Sequence, residues 1–441
     1  CPWSDSHTNE QDVWRPEDTS TVFFEARKGK FPGFKCLHVA HGEKGLADFL
    51  IWADNKMPGI IDRNCARQRV WEKGQTAADG RPRLVLPYLG RSDSEFATEA
   101  GEIIGGDRVA KGLYLRHDMA VEVNTVGLSG NRTCLGFAPI KPARAITLIE
   151  KFAELGKLLQ DSAEQQEFVT CSMGKNTAEI LLNAPQFKGF LPAVERILDV
   201  PVPIITAEGA IAYPQPGYDP RFKTYLNPGA PRLEAMSLAD ALGLLRELFC
   251  EFYFKDEQSL VHALAAFLTP FCRGLFPRWN ARTPVWLYKA NRERAGKDYC
   301  ANLSPLLYEG RTNEDAPLNS DDVETRKKIT SSLIAGRRRI HWANCRGHIN
   351  NAAFEAIATA EMWTDRVLGE NREVMVPNEM EISLSANTGL TYTPDFANRC
   401  RTILFHYEEE DANARRFSKT DLHGWLLANR GRLVSALAAM M

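Results

Sequence analysis

The segment Thr283–Tyr299 contains the residue types that a phosphate-binding loop requires. An apolar run, Pro284–Tyr288, leads through a polar turn to Gly296 and Lys297, and an amphipathic run, Tyr299–Leu307, follows. In loops of this kind, main-chain N–H groups at the start of a helix bind phosphate oxygens, and the lysine reaches the β- and γ-oxygens. We therefore predict a nucleotide site formed by Asn291, Ala295, Gly296, Lys297, Asp298 and Tyr299.

Two positions of this turn differ from the usual phosphate-binding pattern. Asn291 stands where the first glycine is expected, and Asp298 stands where serine or threonine normally holds Mg²⁺. Asparagine tolerates a left-handed backbone, so Asn291 can accommodate the turn. Asp298 can bind Mg²⁺ directly, but it also places a negative charge beside the phosphates. The alternative interpretation is an ordinary strand–turn–helix.

A nucleotide hydrolase also needs an acid at the end of a second strand, where it holds Mg²⁺ and the attacking water. Arg338–Gly347 follows Lys297 at a suitable distance, but Ala343 and Asn344 occupy the positions where the acid is expected. Without this carboxylate most of the hydrolysis rate should be lost. The nearby acids that could replace it are Glu355, Glu361 and Asp365.

Two later segments add residues suited to the same chemistry. The predicted strand Glu381–Asn387 ends in an amide that can orient a water near a γ-phosphate, and Pro394–Arg401 precedes a further strand, Thr402–Tyr407. An arginine in this place can reach the phosphate of a neighbouring subunit. Singly, the asparagine is a turn residue and the arginines are solvated charges; their order and spacing together favour a nucleotide site. The predicted catalytic residues are Lys297, Asn387, Arg399 and Arg401.

A separate group of cysteines and histidines lies near the start of the chain. Two Cys–His pairs in turn-rich sequence can close a tetrahedral Zn²⁺ site, with His38 as a reserve ligand. The alternative is a buried cysteine with surface histidines. The predicted zinc ligands are Cys1, His7, Cys36 and His41.

Two basic runs, Arg326–Lys328 and Arg337–Arg339, flank a predicted helix that ends near Gly336, a plausible C-cap. Cations are electrostatically favoured at a helix C-terminus, so the default interpretation is a solvated face. In a ring-shaped translocase the same residues can contact the phosphates of single-stranded DNA.

The elements that must position these residues follow from periodicity. Helices at Leu238–Tyr253 and Gln258–Phe271 precede alternating strands and helices, which predicts a three-layer α/β domain of the P-loop type. Upstream, we predict a strand at Arg83–Leu86, a helix at Asp93–Ile104 and antiparallel strands within residues 110–140. The remaining helices are predicted at Ala143–Ala163 and Asn176–Leu182.

The Pro- and Gly-rich stretch Ala212–Pro231 is the best candidate for a domain boundary. We predict three domains: a zinc-binding knuckle at 1–55, an α+β middle domain at 80–232, and the α/β domain at 233–441. A chain of 441 residues agrees with two or three domains. Because it does not begin with Met, we expect a fragment or a processed product, from which a domain upstream of Cys1 has been removed.

Composition narrows the functional classes. With 44% hydrophobic and 25% charged residues, no apolar run near the ~18–20 residues of a bilayer span and no secretory signal, we expect a cytoplasmic protein without a membrane partner. Ten scattered cysteines agree with a reducing compartment. The net charge of −2 argues against a generally basic DNA-coating protein, so contact with DNA depends on local basic patches.

Taken together, residues from about Arg83 to Met441 resemble the C-terminal portion of phage and plasmid replication proteins. These proteins carry a superfamily 3-like, AAA+-related helicase ATPase that is often fused to a primase. The N-terminal cysteines and histidines resemble the zinc-binding segment beside such primases, where a cysteine is more usual than His41. The matching stretches are Arg83–Pro87, Phe190–Pro192, Gly209–Asp219, Ala295–Asp298, Trp363–Gly369, Ser385–Asn387, Asp395–Arg401, Arg415–Phe417 and the terminal helix with Trp425, Asn429 and Arg430.

The resemblance implies a homo-oligomeric, hexameric ring that uses ATP and Mg²⁺ to move on single-stranded or forked DNA, with Zn²⁺ in the N-terminal segment. It implies that Lys297 binds phosphate, Asn387 acts as a sensor, and Arg399 or Arg401 acts on a neighbouring subunit's nucleotide. It also implies an acid on the second strand, which this chain lacks at Ala343.

Three functional hypotheses follow. The first is an ATP-dependent DNA helicase or translocase of mobile-element replication. The second is a hydrolysis-deficient AAA+-like module that binds DNA and oligomerises. The third is a zinc-dependent nucleic-acid-binding protein whose large domain is only a scaffold. A carboxylate near Lys297 favours the first over the second.

Overall fold

The computed structural model describes residues 21–24, 33–36, 46–58, 74–88, 91–105, 112–127, 133–162, 165–276, 282–312, 318, 321–369, 373–408 and 417–441. Its strands, in chain order β1 to β21, are Thr21–Phe24, Gly33–Cys36, Arg83–Val85, Leu113–Arg116, Met119–Gly127, Thr133–Pro139, Glu154–Ser162, Gln165–Thr170, Arg196–Leu198, Ile204–Ile205, Ile211–Ala212, Gly217–Asp219, Thr224–Leu226, Val285–Ala290, Arg339–Cys345, His348–Ile349, Met362–Arg366, Glu373–Pro377, Glu381–Asn387, Thr391–Tyr392 and Cys400–Phe405.

The helices, in chain order α1 to α14, are Leu46–Lys56, Asp93–Gly105, Pro142–Phe152, Lys175–Asn183, Pro185–Lys188, Leu238–Phe249, Glu257–Cys272, Lys297–Ala301, Leu303–Glu309, Asp322–Ile334, Ala352–Ile357, Pro394–Arg399, Leu422–Ala428 and Arg430–Ala439. A short 3₁₀ turn, Arg273–Leu275, follows α7.

The chain divides into two compact units. The first comprises Cys1–Phe96 and Ile146–Thr177, and the second comprises Ala97–Ala145 and Ala178–Met441. The boundary expected after residue 232 lies within the second unit, and the three predicted domains stay a prediction.

In the first unit, β7 pairs in parallel with β3 and antiparallel with β8. The predicted helix Ala143–Ala163 is therefore wrong in its second half, because α3 ends at Phe152 and β7 begins at Glu154. Gly156 explains part of the difference: a Cβ at this position would lie 2.4 Å from Cζ of Phe168, so the side chain of β8 packs directly on the strand backbone. Glycine also disfavours a helix interior.

In the second unit, β4, β5 and β6 form an antiparallel sheet, as predicted for residues 110–140. The β4–β5 turn places His117 and Asp118 at φ values of 46° and 62°, the backbone of a tight hairpin turn. This sheet contacts the end of α10, where Arg116 donates to the carbonyl oxygens of Leu333 at 3.0 Å and Ile334 at 2.6 Å. The Leu333 carbonyl also accepts from the Gly336 N–H at 3.0 Å, and Arg116 adds a side-chain donor to the carbonyls at this helix end.

The C-terminal region is built on a parallel sheet with strand order β15-β19-β14-β21. Side chains of β14 alternate between two buried clusters: Trp286 and Tyr288 pack with helices α6, α7, α9 and α14, while Val285 and Leu287 pack with α10 and α11. Helices thus cover both faces of the sheet, which confirms the predicted α/β fold with a parallel sheet. Among the described residues, no helix is both long enough and apolar enough to cross a membrane.

Candidate nucleotide site

The turn after β14 lies at the carboxyl edge of the parallel sheet, between two neighbouring strands. Ala290, the last residue of β14, is in register with Asn387 at the end of β19 and with Phe405 at the end of β21. In open α/β sheets, ligands bind at this edge, where the strand order reverses. The predicted loop is therefore at the position where this architecture places a ligand.

Asn291 begins the turn in a different way from the one its sequence position predicts. Its Nδ2 donates to the Tyr407 carbonyl at 2.9 Å, and its Oδ1 accepts from the Tyr407 N–H at 3.1 Å. The described residues with positive φ include Arg294, at 61°, and Gly296, at 95°, but not Asn291. Asn291 therefore does not use the left-handed backbone that its residue type tolerates, and its side chain anchors the turn to the segment after β21. Nucleotide contact by Asn291 and Ala295 stays a prediction.

Lys297 is buried, with 6% of its surface exposed, and its ammonium group meets two side chains. Nζ donates to Oδ2 of Asp298 at 2.7 Å and lies 3.5 Å from Oδ1 of Asn344. Asn344 occupies the end of β15 with a φ of 54°. The second strand thus approaches the lysine through an amide rather than an acid.

Among the described residues, only one oxygen of the Asp298 carboxylate has a hydrogen-bond partner. Oδ2 contacts the lysine, whereas Oδ1 is buried and has no hydrogen-bond partner among the residues described. A carboxylate oxygen in this condition is costly to bury, and oxygen of this kind is the ligand that Mg²⁺ prefers. The donor chemistry therefore fits a divalent cation beside the turn.

A cavity of about 400 Å³ opens beside Gly296 and Lys297, so the turn is not packed shut. Its walls also include Arg294 from the turn, Asp298 and Tyr299 from α8 and, from other segments, Glu251, Phe252, Phe417 and Lys419. This volume lies in the range of small-molecule sites.

The lining residues that were not predicted as site residues are Glu251, Phe252, Arg294, Phe417, Lys419, Thr420 and Leu422. Burial, the largest influence, raises the pKa of Glu251, but hydrogen bonds from Ser418 and Lys419 together with the Lys419 charge outweigh it, so the net pKa is lowered. Phe417 could have been considered from the sequence, because Arg415–Phe417 is one of the stretches that resemble phage and plasmid replication proteins. Glu251 and Phe252 follow α6 and gave no local signal.

The amphipathic run after Lys297 folds as two short helices, α8 and α9, rather than one. Tyr299 lies on α8, where its ring stacks on His423 with centroids 3.6 Å apart and an interplanar angle of 7°. Nε2 of His423 also lies 3.2 Å from the Tyr299 carbonyl oxygen. The stack joins α8 to α13 at the edge of the cavity.

Asn387 ends β19, as predicted, and its Oδ1 is buried without a hydrogen-bond partner in the described part of the chain. The next residue, Thr388, donates its N–H to the Ala290 carbonyl at 3.0 Å and its hydroxyl to the Asn291 carbonyl at 3.0 Å. The end of β19 is therefore tied to the start of the turn. Asn387 can offer a carbonyl oxygen to a water or ligand there.

The two predicted arginines lie at the opposite edge of the sheet. Arg401 is in register with Trp286, four residues before Ala290, which separates it along the strand from the turn by about 13 Å. Arg399 is engaged within the chain, with Nη1 donating to the Glu355 carbonyl at 2.6 Å and Nη2 bonded to Asp395 at 2.5 Å. Arg401 is exposed, and its Nη1 donates to the Cys400 carbonyl.

The three acids considered as replacements are engaged elsewhere. Glu355 accepts from Thr393 at 2.8 Å, Asp365 pairs with Arg326 at 3.5 Å, and Glu361 is 4.0 Å from Arg282. Within the described chain, the carboxylate in contact with Lys297 is Asp298.

The basic runs differ from each other. Arg326 and Lys327 are largely solvated, as expected, but Arg339 is buried and paired with Glu381 at 2.7 Å, so a solvated face is wrong for this residue. Gly336 follows the end of α10 at φ 75°, which agrees with the predicted C-cap.

Of the predicted zinc ligands, Cys1, His7 and His41 lie outside the described residues, as does the reserve ligand His38. Cys36 is the last residue of β2, which pairs antiparallel with β1. In the part of the chain that is described, no group of three or more metal-binding side chains occurs. The zinc site stays a prediction.

No family model matches this chain, and no curated protein matches it. One similar solved structure is described as the apo form of the NrS-1 C-terminal region; it has 12% sequence identity, a TM-score of 0.41, and covers 77% of this chain and 68% of its own. Another is described as a JCV helicase bound to a small molecule, with 12% identity, a TM-score of 0.24, and coverage of 46% and 60%. Similarity at this level carries no weight for function.

Proposed function

We propose that this chain is an ATP-dependent DNA helicase or translocase that acts in the replication of a phage or plasmid. One observation carries the proposal: the buried ammonium of Lys297 borders a cavity of about 400 Å³ at the carboxyl edge of a parallel sheet, in the turn between the strand β14 and a helix. A buried cation beside a cavity at this edge suits a polyanionic ligand.

The residues around the cavity fit Mg²⁺-ATP. Lys297 and the N–H groups of Ala295–Lys297 would hold the phosphates, and the unpartnered Oδ1 of Asp298 would hold Mg²⁺. Phe252 and Phe417 give the cavity an aromatic side on which a base can rest. When bound, Mg²⁺ neutralises charge on the β- and γ-oxygens.

Water near the phosphates would be positioned by side chains at the ends of β15 and β19. The Oδ1 of Asn387, which has no hydrogen-bond partner among the described residues, can accept a hydrogen bond from a water. Asn344 stands where a carboxylate is expected at the end of β15, and an amide cannot accept a proton as a carboxylate would. The role of that carboxylate therefore falls to Asp298 or Glu251. Because an amide takes the place of this acid, we expect slow ATP hydrolysis rather than rapid turnover.

A neighbouring subunit would complete the site. Arg401 is exposed at the edge of the sheet opposite the turn, so it cannot act on the nucleotide of its own chain. The same exposure leaves it available to the cavity of another copy. Head-to-tail contacts of this kind form a ring when they close, and we propose a hexamer. Arg399 is the weaker candidate because it is bonded to Glu355 and Asp395.

DNA contact would involve the hairpin of β17 and β18, which is inserted between β15 and β19. Leu368 at its turn is 73% exposed, Arg366 adds a positive charge, and Arg326 and Lys327 of α10 line the same groove. Apolar and basic groups exposed together suit single-stranded DNA, whose bases and phosphates they can contact.

The N-terminal segment is proposed to bind Zn²⁺ through Cys1, His7, Cys36 and His41 and to sit beside a primase. Metal analysis of the purified chain tests this proposal. One zinc per chain, lost in a variant with Cys36→Ala, supports it; a metal-free chain rejects it.

The main experiment measures ATP hydrolysis with and without single-stranded DNA. We expect a DNA-stimulated rate that Lys297→Ala reduces at least tenfold, while Lys255→Ala, which removes an exposed lysine, leaves it unchanged. A DNA-stimulated rate that is equal in Lys297→Ala and the parent protein would remove the motor proposal.

The second candidate is a hydrolysis-deficient module that binds nucleotide and assembles on DNA. The observation that favours it is the amide of Asn344 at the place of the second-strand acid. It predicts nucleotide-dependent oligomers and no hydrolysis above background in the same assay, with binding still abolished by Lys297→Ala.

A further inference from the structure

A second cavity, of about 270 Å³, lies at the opposite edge of the parallel sheet from the Lys297 turn. Arg339 and Glu381, the first residues of β15 and β19, are in register there and line its wall. Arg273 and Arg338 also line it, and Phe137 and Val202 give it an apolar side. None of these residues takes part in the nucleotide site described above.

Two carboxylates in this cavity are already paired. Glu379 receives a two-pronged interaction from Arg196, with Nη2–Oε1 at 2.5 Å and Nε–Oε2 at 2.9 Å. Glu381 receives Arg339, with Nη2–Oε2 at 2.7 Å. The carboxylates of Glu379 and Glu381 are therefore already paired with Arg196 and Arg339.

Among the described residues, Arg273 has no carboxylate partner of its own. It is 4% exposed, and its Nη2 donates to the Asn378 carbonyl at 3.2 Å. Its Nε and Nη1 are buried and have no hydrogen-bond partner in the described chain. Burial lowers the pKa of this guanidinium to about 10, and the charges of Glu379 and Glu381 only partly oppose that effect.

The neighbouring arginines add further unused donors. Nε of Arg338 and Nη1 of Arg339 are also buried without a partner among the described residues. Donors of three different side chains are therefore unsatisfied around one cavity. Leaving such donors unpaired costs free energy, and a buried charge without a partner costs more.

The remaining charged residues of the cavity wall do not balance the positive charge of these arginines. Glu309 pairs with Arg311 at 3.1 Å, and Asp199 accepts from Asn227 at 2.7 Å, while burial raises the pKa of Asp199. Arg337 adds another positive charge. Including Arg196, six arginines face four carboxylates, so the cavity has an excess of positive charge.

The position of Arg273 is fixed by its backbone. It lies on the 3₁₀ turn after α7, and the next residue, Gly274, packs so closely on β10 that an added Cβ would be 2.3 Å from the Pro203 carbonyl oxygen. This packing restrains the backbone of the turn, and the hydrogen bond from Nη2 to the Asn378 carbonyl holds the guanidinium at the cavity wall. The unsatisfied donors are therefore a built feature of the cavity.

We propose that this cavity binds a small phosphorylated anion through Arg273, Arg338 and Arg339. A phosphoryl group presents several oxygens to guanidinium forks, which match it in geometry and charge. The apolar side beside Phe137 and Val202 can hold the organic part of a phosphate monoester, and inorganic phosphate would use the charged side alone. This site is independent of the proposed motor function.

The test is thermal unfolding of the intact chain with inorganic phosphate, with adenosine monophosphate, and with chloride at matched ionic strength. We expect a saturable rise in Tm of about 2 °C or more with a phosphate probe and none with chloride. A larger rise with the monophosphate identifies a monoester as ligand; an equal rise identifies free phosphate.

Variants separate the two sites. Arg273→Met should abolish the phosphate-dependent rise while its Tm without phosphate stays equal to or above that of the parent protein, because an uncompensated buried charge has been removed. Arg246→Met, at an exposed position of α6, should retain the rise. All of these comparisons are made in a Lys297→Ala background, so that phosphate bound at the turn after β14 does not contribute. If Arg273→Met fails to fold, Arg338→Met serves in its place. A rise that persists in the folded Arg273 or Arg338 variant, or no saturable rise in the parent protein, overturns the proposal.

Discussion

The carboxylate of Asp298 lies 2.7 Å from the ammonium of Lys297, so the residue expected to bind phosphate is neutralised by the residue that follows it. Both belong to the start of α8, and the other oxygen of the carboxylate is buried without a hydrogen-bond partner in the described part of the chain. Lys297 and Asp298 thus form an ion pair at the position where the phosphates and the cation are expected to bind. A nucleotide would replace the carboxylate on the lysine, and a cation would take up the released carboxylate.

The first prediction separates these two roles with Asp298→Asn. Without Mg²⁺ the variant should bind ATP more tightly, by about tenfold, because a repelling charge is lost and the lysine is freed. With Mg²⁺ it should bind more weakly than the parent protein, because a cation ligand is lost. Calorimetric titration with and without EDTA measures both.

Glu293→Gln is the matched control, since Glu293 is an exposed carboxylate of the same turn. It should change affinity little in either condition. If Asp298→Asn shifted the affinity in the same direction with and without Mg²⁺, the carboxylate would not be a cation ligand.

The second prediction concerns the arginines. Arg401→Ala should reduce hydrolysis about 10³-fold and leave nucleotide binding unchanged, because the residue would act only on a neighbour's phosphate. Mixing it with Lys297→Ala should restore part of the activity, since some interfaces then contain an intact lysine and an intact arginine. Hydrolysis is measured across mixing ratios.

Arg399→Ala is the comparison for this experiment. Its contacts with Glu355 and Asp395 predict a loss of stability instead, measured by denaturant unfolding. Rates that follow simple dilution in the mixture would argue against an arginine acting between subunits.

The α/β core was predictable because its strands are short apolar runs with clear ends. Glu381–Asn387 was predicted with the bounds that the structure has, and the parallel sheet followed from the alternation of strands and helices. The helix predicted to Ala163 failed because pairing of β7 with two strands is a long-range interaction, which local periodicity does not report.

The lysine was predictable from its local pattern, whereas its surroundings were not. Asn344 contacts Lys297 from 47 positions away, and Glu251 and Lys419 reach the cavity from segments before and after the sheet. The role of Asn291 was missed because its partner, Tyr407, lies beyond β21. Such contacts depend on tertiary packing alone.

The third prediction concerns the junction of the β4–β6 sheet with α10. Gly336 has a φ of 75°, and a Cβ there would lie 2.7 Å from Cδ2 of the buried Phe137. Gly336→Ala should lower the free energy of unfolding by about 2–4 kcal/mol, through backbone strain and overpacking. Gly347→Ala introduces the same backbone strain, at φ 78°, but the added Cβ would have no neighbouring atom of the described chain within 4 Å. We therefore expect it to lower the free energy of unfolding by only about 1–2 kcal/mol. Equal losses in denaturant unfolding would contradict this account.

The fourth prediction concerns pH. Burial lowers the pKa of His423 below its usual value of 6.5, against smaller opposing effects from the Tyr299 carbonyl and Asp421. The unfolded chain therefore takes up this proton first as the pH falls. The stability contribution is complete above pH 6.5 and decreases below it until the folded pKa is reached.

His423→Phe keeps a ring against Tyr299 but cannot titrate. Between pH 7.5 and about 5, its free energy of unfolding should fall less than that of the parent protein. Parallel curves for the two proteins would show that His423 does not contribute to the acid sensitivity.

The most direct test of the account is equilibrium binding of a fluorescent ATP analogue to the parent protein, Lys297→Ala and Lys255→Ala in the presence of Mg²⁺. We predict saturable binding in the parent protein and in Lys255→Ala, with affinity reduced at least tenfold in Lys297→Ala. Equal affinity in all three proteins would contradict the claim that the turn after β14 holds the nucleotide phosphates.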